Sequence, residues 1–433
     1  MTDARVILWG RDIGAVSWLE DREIGVFQYA PEFVSSGIEP APLMMPLQEA
    51  PYEFQGLPRG AFKGLPGLLA DSLPDKYGNA LINAWLASQG RTPESFNPVE
   101  RLCYIGKRGM GALEFQPSIL GSENKSAKLE IAALVDLANK VLDERTSLAG
   151  KFSGDDDARV IEDIIRVGTS AGGARAKAIL AWNESTGEFR SGQIPKDEGF
   201  SYWLMKFDGV AGNKDKELAD PQGYGLIEYA YYLMAADAGI DMMDCRLHKE
   251  GGRAHFMTKR FDRTDSGEKL HMQSLAAMMH FDFNQPDAYS YEQALLTIRR
   301  AGMPMVDSEQ QFRRAAFNVI ARNHDDHVKN IAYLMNKAGD WRLSPAFDVA
   351  YSYNPSGDWT SRHQMSVNGK RDEFDIDDLL ALARSGGIKP AKARDIAQEV
   401  DASVSKWRDF AAEASMDEVT IKKISATHRK LFV

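Results

Sequence analysis

Cysteine is scarce in this sequence: Cys103 and Cys245 are the two in 433 residues. They lie far apart in apolar segments; they could pair, but two buried thiols in a reducing cytoplasm are the expectation. Long apolar runs are missing as well. No stretch approaches the roughly 18 apolar residues needed to cross a bilayer as a helix. The opening Met1-Thr2-Asp3-Ala4-Arg5-Val6 leads directly into strand-like residues, without the charged start and apolar stretch of an export signal. A cytoplasmic location is therefore expected. Basic charge is also in deficit, with 52 Lys and Arg against 62 Asp and Glu and a net charge of −10. Nucleic-acid binders carry a basic face because much of their affinity comes from counterion release at phosphates. This chain is not expected to hold DNA or RNA broadly by itself, although a local basic patch or a DNA-binding partner stays open. Internal repeats and low-complexity segments are absent.

What is present is ample material for packed cores. Hydrophobic residues make up 44% and charged residues 26%, in a length that suggests two or three packed units. Alternating apolar residues predict strands at Val6–Trp9, Ala15–Leu19 and Gly25–Tyr29. Pro40, Pro42, Pro46, Pro51 and Pro58 then mark loop and edge structure, and Ala80–Leu86 has helical spacing. Residues 1–120 read as a small mixed domain, with the polar Gly121-Ser122-Glu123-Asn124-Lys125 as its boundary. A helix is predicted around Leu129–Leu142, followed by the acidic linker Ser153-Gly154-Asp155-Asp156-Asp157. Strands follow at Lys177–Trp182, Glu188–Gly192 and Tyr202–Phe207. A helix through Leu226, Ala230, Leu233 and Met234 ends at Gly239, and His255–Arg260 closes the unit. Beyond about residue 265 the pattern turns helical. Ile396, Val400, Val404, Trp407 and Ala411 form a stripe that reads as core.

The densest polar cluster is Asn323-His324-Asp325-Asp326-His327-Val328-Lys329-Asn330, between the helical stretch Phe312–Arg322 and strand-like Ile331–Leu334. Apolar neighbours on both sides place it at the edge of a core. Two chemistries suit it. One is metal hydrolysis, with His324, Asp325 and His327 as ligands and His280 as a further candidate. The other is phosphoryl transfer, in which an aspartate orients an attacking hydroxyl and accepts its proton while an asparagine five residues on holds Mg2+. Asp325 and Asn330 have that spacing. Asp348, in Ser344-Pro345-Ala346-Phe347-Asp348-Val349, stands where a second aspartate would bridge Mg2+ to phosphates. Upstream, Lys206 lies in an apolar strand, where burying an unpaired ammonium is costly. Glu228, near the start of the next helix, is the expected partner. The glycine-rich run from Gly168 to Lys177 suits a phosphate cradle of backbone N–H groups. It is not a Walker A loop, since Gly173 is followed by Ala174-Arg175.

Five features in order carry a resemblance. They are the loop with Ser170 and Lys177, the strand lysine Lys206, the segment Lys259-Arg260-Phe261-Asp262-Arg263, the Asn-x-Asp-Asp-His-x-Lys-Asn loop, and Pro345-Ala346-Phe347-Asp348. Together with the N-terminal stretch Gly64–Pro74, they resemble the HipA family of bacterial toxin–antitoxin kinases over nearly the whole chain. The resemblance implies an α+β, two-lobed, protein-kinase-like fold. Its parts are an extra N-terminal subdomain (1–120), a β-rich nucleotide lobe (121–262) and an all-helical C-lobe with the catalytic loop (263–433). It implies ATP and Mg2+ as cofactors, Asp325 and Lys206 as catalytic residues, and Asn330 and Asp348 as metal ligands. Around the nucleotide it places Ser170, Ala171, Gly172, Gly173, Lys177, Lys206, Glu228, Lys259, Phe261, His327, Lys329, Asn330 and Asp348, with residues 258–261 beside adenine. Ser170 matches the loop serine that family members phosphorylate on themselves, which ejects the loop and stops the enzyme.

The implied partners are a HipB-like helix-turn-helix antitoxin, through which alone DNA is reached, and a protein substrate such as an aminoacyl-tRNA synthetase. No membrane is involved. Asn323-His324 precedes Asp325 where ordinary protein kinases have His-Arg, and His327 stands where many carry a lysine, a charge that Lys329 would supply. Two other readings stand beside this one: a non-catalytic co-repressor or scaffold on a DNA-binding antitoxin, and the metal-dependent phosphohydrolase.

Overall fold

The computed structural model describes residues 2–119, 128–143, 168, 175–192, 199–210, 214–215, 218–219 and 223–432. The predicted boundary 121–125 and the acidic linker 153–157 lie outside them. Strands β1 (Thr2–Leu8), β2 (Arg11–Leu19), β3 (Ile24–Tyr29) and β4 (Leu113–Gln116) form an antiparallel sheet in the order β3-β2-β1-β4. Period-two alternation fixes its register, with Ala4 opposite Val16, and buries Ala4, Val6, Leu8, Val16 and Trp18 on the core face. The proline-rich segment wraps the far edge, where the Tyr29 hydroxyl donates to the Met45 carbonyl at 2.9 Å.

Helix α1 (Lys76–Ser88) begins at Asp75, whose carboxylate accepts from the Gly78 N–H. It packs away from the first sheet: Tyr77, Leu81 and Ile82 share a core with Ala178, Leu180 and Met205 of the next unit. Helix α2 (Pro98–Ile105) returns to the first sheet, whose core is continuous with that of the C-terminal helices. The N-terminal part therefore straddles the two lobes. Trp9 donates to the Lys269 carbonyl at 2.7 Å, and the Asp71 carboxylate accepts from the N–H and hydroxyl of Ser274 at 2.6 and 2.8 Å.

After α3 (Ile131–Asp143), a second antiparallel sheet is built from β5 (Lys177–Asn183), β6 (Glu188–Ser191) and β7 (Phe200–Lys206). The short ribbon β8 (Lys214–Asp215) and β9 (Leu218–Ala219) and helix α4 (Tyr224–Asp237) precede β10 (Cys245–Glu250) and β11 (Arg253–Lys259). The sheet order is β10-β11-β7-β5-β6. Lys177 and Lys206 are direct cross-strand partners, which sets two cations side by side. Helix α4 crosses β11 closely at Gly225, where a Cβ would meet the Ala254 carbonyl oxygen at 2.3 Å.

The C-terminal lobe holds α5 (Leu275–Met279), α6 (Tyr291–Arg300), α7 (Met305–Ile320), α8 (Ile376–Ser385), α9 (Pro390–Ser405), α10 (Trp407–Glu413) and α11 (Glu418–Ser425). It is not wholly helical as expected. Strands β12 (His271–Ser274), β13 (Ala332–Met335) and β14 (Trp341–Leu343) make a three-stranded sheet in that order. The sequence shows β13 as an apolar run, but its partner Gln273, opposite Tyr333, comes from before three helices. Ile396, Val400, Val404, Trp407 and Ala411 are all buried core, although the helix breaks at Lys406 and Trp407 opens a new one. The architecture is α+β and two-lobed, a β-rich lobe over a mainly helical one, as in protein kinases. Among the described residues no helix is long and apolar enough to cross a membrane.

Candidate active site

Three elements converge between the lobes. Strand β7 ends at Lys206, α4 brings Glu228, and the segment after β14 brings Asp348. The Lys206 ammonium donates to Glu228 Oε1 at 2.5 Å and to the carboxylate of Asp348. Its side chain is 16% exposed and that of Glu228 only 3%, so the pairing satisfies a charge that the apolar strand buries. Burial opposes the charge on Lys206, but Asp348 and Glu228 override it and hold its pKa above the usual lysine value. Burial likewise disfavours ionised Asp348, and Lys206 reverses the balance, lowering the pKa of that carboxyl group. Asp348 has φ +53°, a left-handed conformation uncommon outside glycine and retained where surrounding contacts over-determine it.

The polar cluster leaves the end of α7 through Arg322, also left-handed at φ +58°. Several contacts hold Asp325 in place. Its N–H donates to Ser352 Oγ at 2.9 Å, and that hydroxyl donates to Asn323 Oδ1 at 2.8 Å. The Trp359 indole N–H donates to Asp325 Oδ1 at 3.2 Å, and His327 Nε2 lies 3.7 Å from the same oxygen. Asn330 donates its amide N–H to the Asp325 carbonyl at 2.8 Å, so its Oδ1 is the atom available to a cation. Asp325, His327, Asn330, Phe347 and Asp348 line one cleft of about 420 Å3, counting the part open to solvent. Asp326 also borders this cleft, but its side chain is already engaged. Its buried carboxylate accepts from the Tyr291 hydroxyl at 2.8 Å, His363 Nδ1 at 2.7 Å and the Gln364 N–H at 2.7 Å.

The histidines of the hydrolase reading do not gather. His324 is fully buried, carries its Nδ1 proton against the Thr360 carbonyl at 2.9 Å and lies 4.1 Å from the His363 ring. Burial, and then the neighbouring His363, Arg429 and Arg322, push its pKa far down. His280 accepts the Gly67 N–H at 3.0 Å and packs against Phe54 and Phe62. Among the described residues no group of three or more His, Cys, Asp or Glu is placed to hold a metal ion.

The remaining expected nucleotide contacts divide. Lys177 adjoins Lys206 but pairs with Asp75 Oδ2 at 2.8 Å, the two side chains being 2% and 5% exposed. Burial dominates at Asp75 and raises the pKa of its carboxyl group, against the pull of Lys177. Phe261 packs on Phe347 with centroids 5.4 Å apart, beside Asp348. Lys259 pairs with the exposed Asp265 at 3.0 Å. Lys329 does not line the Asp325 cleft. Its ammonium lies 4.8 Å from the Phe283 ring, in a small separate cleft with Gly67 and Asp71, and His327 is the basic side chain beside Asp325. Ser170, Ala171, Gly172 and Gly173 lie outside the described residues.

Sequence reasoning missed Asp75, Ser352, Trp359 and the Asp326–His363 pair. Asp75 carried one usable signal, an acidic N-cap before α1, but nothing local tied it to Lys177.

Known structures and families agree with this architecture. A chain of the solved Shewanella oneidensis MR-1 complex of toxin–antitoxin system HipA, HipB and operator DNA superposes with a TM-score of 0.66 at 17% identity, covering 98% of this chain and 94% of that one. The Helicobacter pylori proinflammatory kinase CtkA matches at a TM-score of 0.33 and 9% identity, over 53% of this chain and 88% of that one, too slight a likeness to argue from. A family profile for the HipA N-terminal domain matches residues 4–116, and one for the HipA-like C-terminal domain matches residues 169–407. On these matches, which cover most of its length, this chain belongs to the HipA family.

Proposed function

We propose that the chain is an Mg-ATP-dependent serine/threonine protein kinase serving as the toxin of a toxin–antitoxin pair. The observation that carries this reading is that the Lys206 ammonium bridges Glu228 and Asp348, and that Asp348 lines one cleft with Asp325 and Asn330. Lys206 orients the nucleotide phosphates, and Glu228 keeps its ammonium in place. Asp325, steadied by Ser352 and Trp359, aligns the substrate hydroxyl and takes up its proton. The Asp348 carboxylate and Asn330 Oδ1 are hard oxygen donors, the kind with which Mg2+ is usually bound together with substrate phosphates. The metal, when bound, neutralises charge on the phosphates.

Ser170 is the proposed site of self-phosphorylation, and a translation protein such as an aminoacyl-tRNA synthetase is the proposed target. A HipB-like antitoxin is the proposed partner, supported by family membership. DNA is reached through that partner, in keeping with the net charge of −10. A scaffold without catalysis would leave the Lys206–Glu228–Asp348 set without a task.

The test is the intact mass of the protein after incubation with Mg-ATP, beside Asp325→Ala. One added phosphate at Ser170, absent from the variant, is the expected result. If the variant gains phosphate at the wild-type rate, Asp325 is not the catalytic residue. If unmodified wild type gains none and binds no ATP, the scaffold reading replaces the kinase.

A further inference from the structure

Segment Thr427–Arg429 follows α11 and crosses the C-terminal end of α7, beyond the residues 169–407 matched by the family profile. The Arg429 N–H donates to the Ile320 carbonyl at 2.9 Å and its Nη1 to the Val319 carbonyl at 2.6 Å. Arg322 Nε donates back to the Thr427 carbonyl at 2.8 Å. These bonds close carbonyls that a helix end leaves unpaired. One contact goes further. Arg429 Nη1 lies 3.0 Å from His363 Nε2. A guanidinium only donates, so Nε2 is the acceptor and the ring proton sits on Nδ1. That proton points at Asp326 Oδ2, 2.7 Å away. His363 and Asp326 have fully buried side chains, and Arg429 is 7% exposed and anchored by Asp372, which also meets Arg322 at 3.2 Å.

We propose that Arg429 is a positioning residue for phosphate transfer. It fixes the His363 tautomer, His363 orients Asp326, and Asp326 sets the loop that presents Asp325. The proposal rests on the kinase reading above. In the opposite tautomer, His363 would turn a lone pair toward the Asp326 carboxylate and leave that buried charge short of a donor. Burial is the main reason the His363 pKa falls, with Arg429 and Arg322 adding to it against Asp326, so the ring stays neutral and its tautomer is decided by its two neighbours. Asp326 is adjacent in sequence to Asp325, so a shift of its carboxylate moves the catalytic one. Misplacement of a reacting group by about 1 Å is enough to cost up to about 100-fold in rate.

The experiment compares full-length wild type with Arg429→Ala, Arg429→Lys and, as a control at an exposed neighbour, Lys430→Ala. Single-turnover self-phosphorylation at varied Mg-ATP gives the maximal rate (kcat) and KM for ATP, and hydrogen exchange gives the protection of residues 322–331 and of α9. Arg429→Ala is expected to lower kcat by about tenfold or more with KM changed by less than about twofold. Residues 322–331 lose protection while α9 keeps it. Arg429→Lys recovers part of kcat, and Lys430→Ala behaves as wild type. Wild-type kcat in Arg429→Ala overturns the proposal, as does a loss of protection spread equally over α9. If wild type transfers no phosphate, the kinase reading fails and exchange alone decides. Loss of loop protection on Arg429→Ala upholds the relay, and unchanged protection overturns it.

Discussion

Replacing Glu228 by glutamine keeps the shape of the side chain and removes the charge that steadies Lys206. The contact is short, 2.5 Å, and nearly dry, with 16% and 3% of the two side chains exposed. A hydrogen bond between charged groups contributes roughly 1.5–3 kcal/mol. At about 1.4 kcal/mol per tenfold, that corresponds to about a 10- to 150-fold weakening of ATP binding. A second effect adds to it. Lys206 keeps its proton through Asp348, whose carboxylate it already contacts. Without Glu228 the ammonium turns wholly to Asp348, the group proposed to meet Mg2+, so transfer falls along with affinity. The assay is calorimetric titration of Mg-ATP into wild type and Glu228→Gln, with incorporation of labelled phosphate measured in parallel. Unchanged affinity and rate in the variant would refute the reasoning, and the Lys206–Glu228 pair would then be a structural ion pair outside the nucleotide site.

Three other outcomes follow from the same geometry. Burial pushes His271, His280 and His428 down to about 4, so the unfolded chain takes up protons near pH 6.5 that the folded chain refuses. Stability should therefore fall as pH drops from about 6.5 to 5, by up to about 1.4 kcal/mol per pH unit for each histidine, and a flat urea-unfolding profile over that range would contradict it. Asp262 is completely buried between Arg260 at 2.7 Å and Arg263 at 2.8 Å, and it accepts the Gly111 N–H at 2.7 Å. Asp262→Asn strands two guanidinium groups and should cost about 3–5 kcal/mol of unfolding free energy, whereas a loss below about 1 kcal/mol would show the pair to be dispensable. Burial also pushes the thiol of Cys103 up to about 11 and that of Cys245 up to about 12. Both should resist a disulfide reagent at pH 8 in the native protein and react fully in urea; rapid native labelling would count against their burial.

Local pattern was enough for much of this protein. Alternation and helical spacing located three of the four strands of the first sheet, α1, α4 and β7 to within a few residues, because period and capping are written in consecutive residues, whereas β4 was not foreseen. The Asp325–Asn330 spacing and the apolar setting of Lys206 marked the chemistry, since a buried charge demands a partner and Glu228 lay close along the chain, 22 residues away. Tertiary structure alone decided which distant group answers each remaining demand. Lys177 meets Asp75 across 102 residues, Ser274 meets Asp71 across 203, and His363 meets Arg429 across 66. Tertiary structure also turned Lys329 away from the cleft and added β12 to a lobe that read as helical. The reason is physical: a sequence states that a buried polar group must be satisfied, but the path of the folded chain selects which donor or acceptor comes within 3 Å of it.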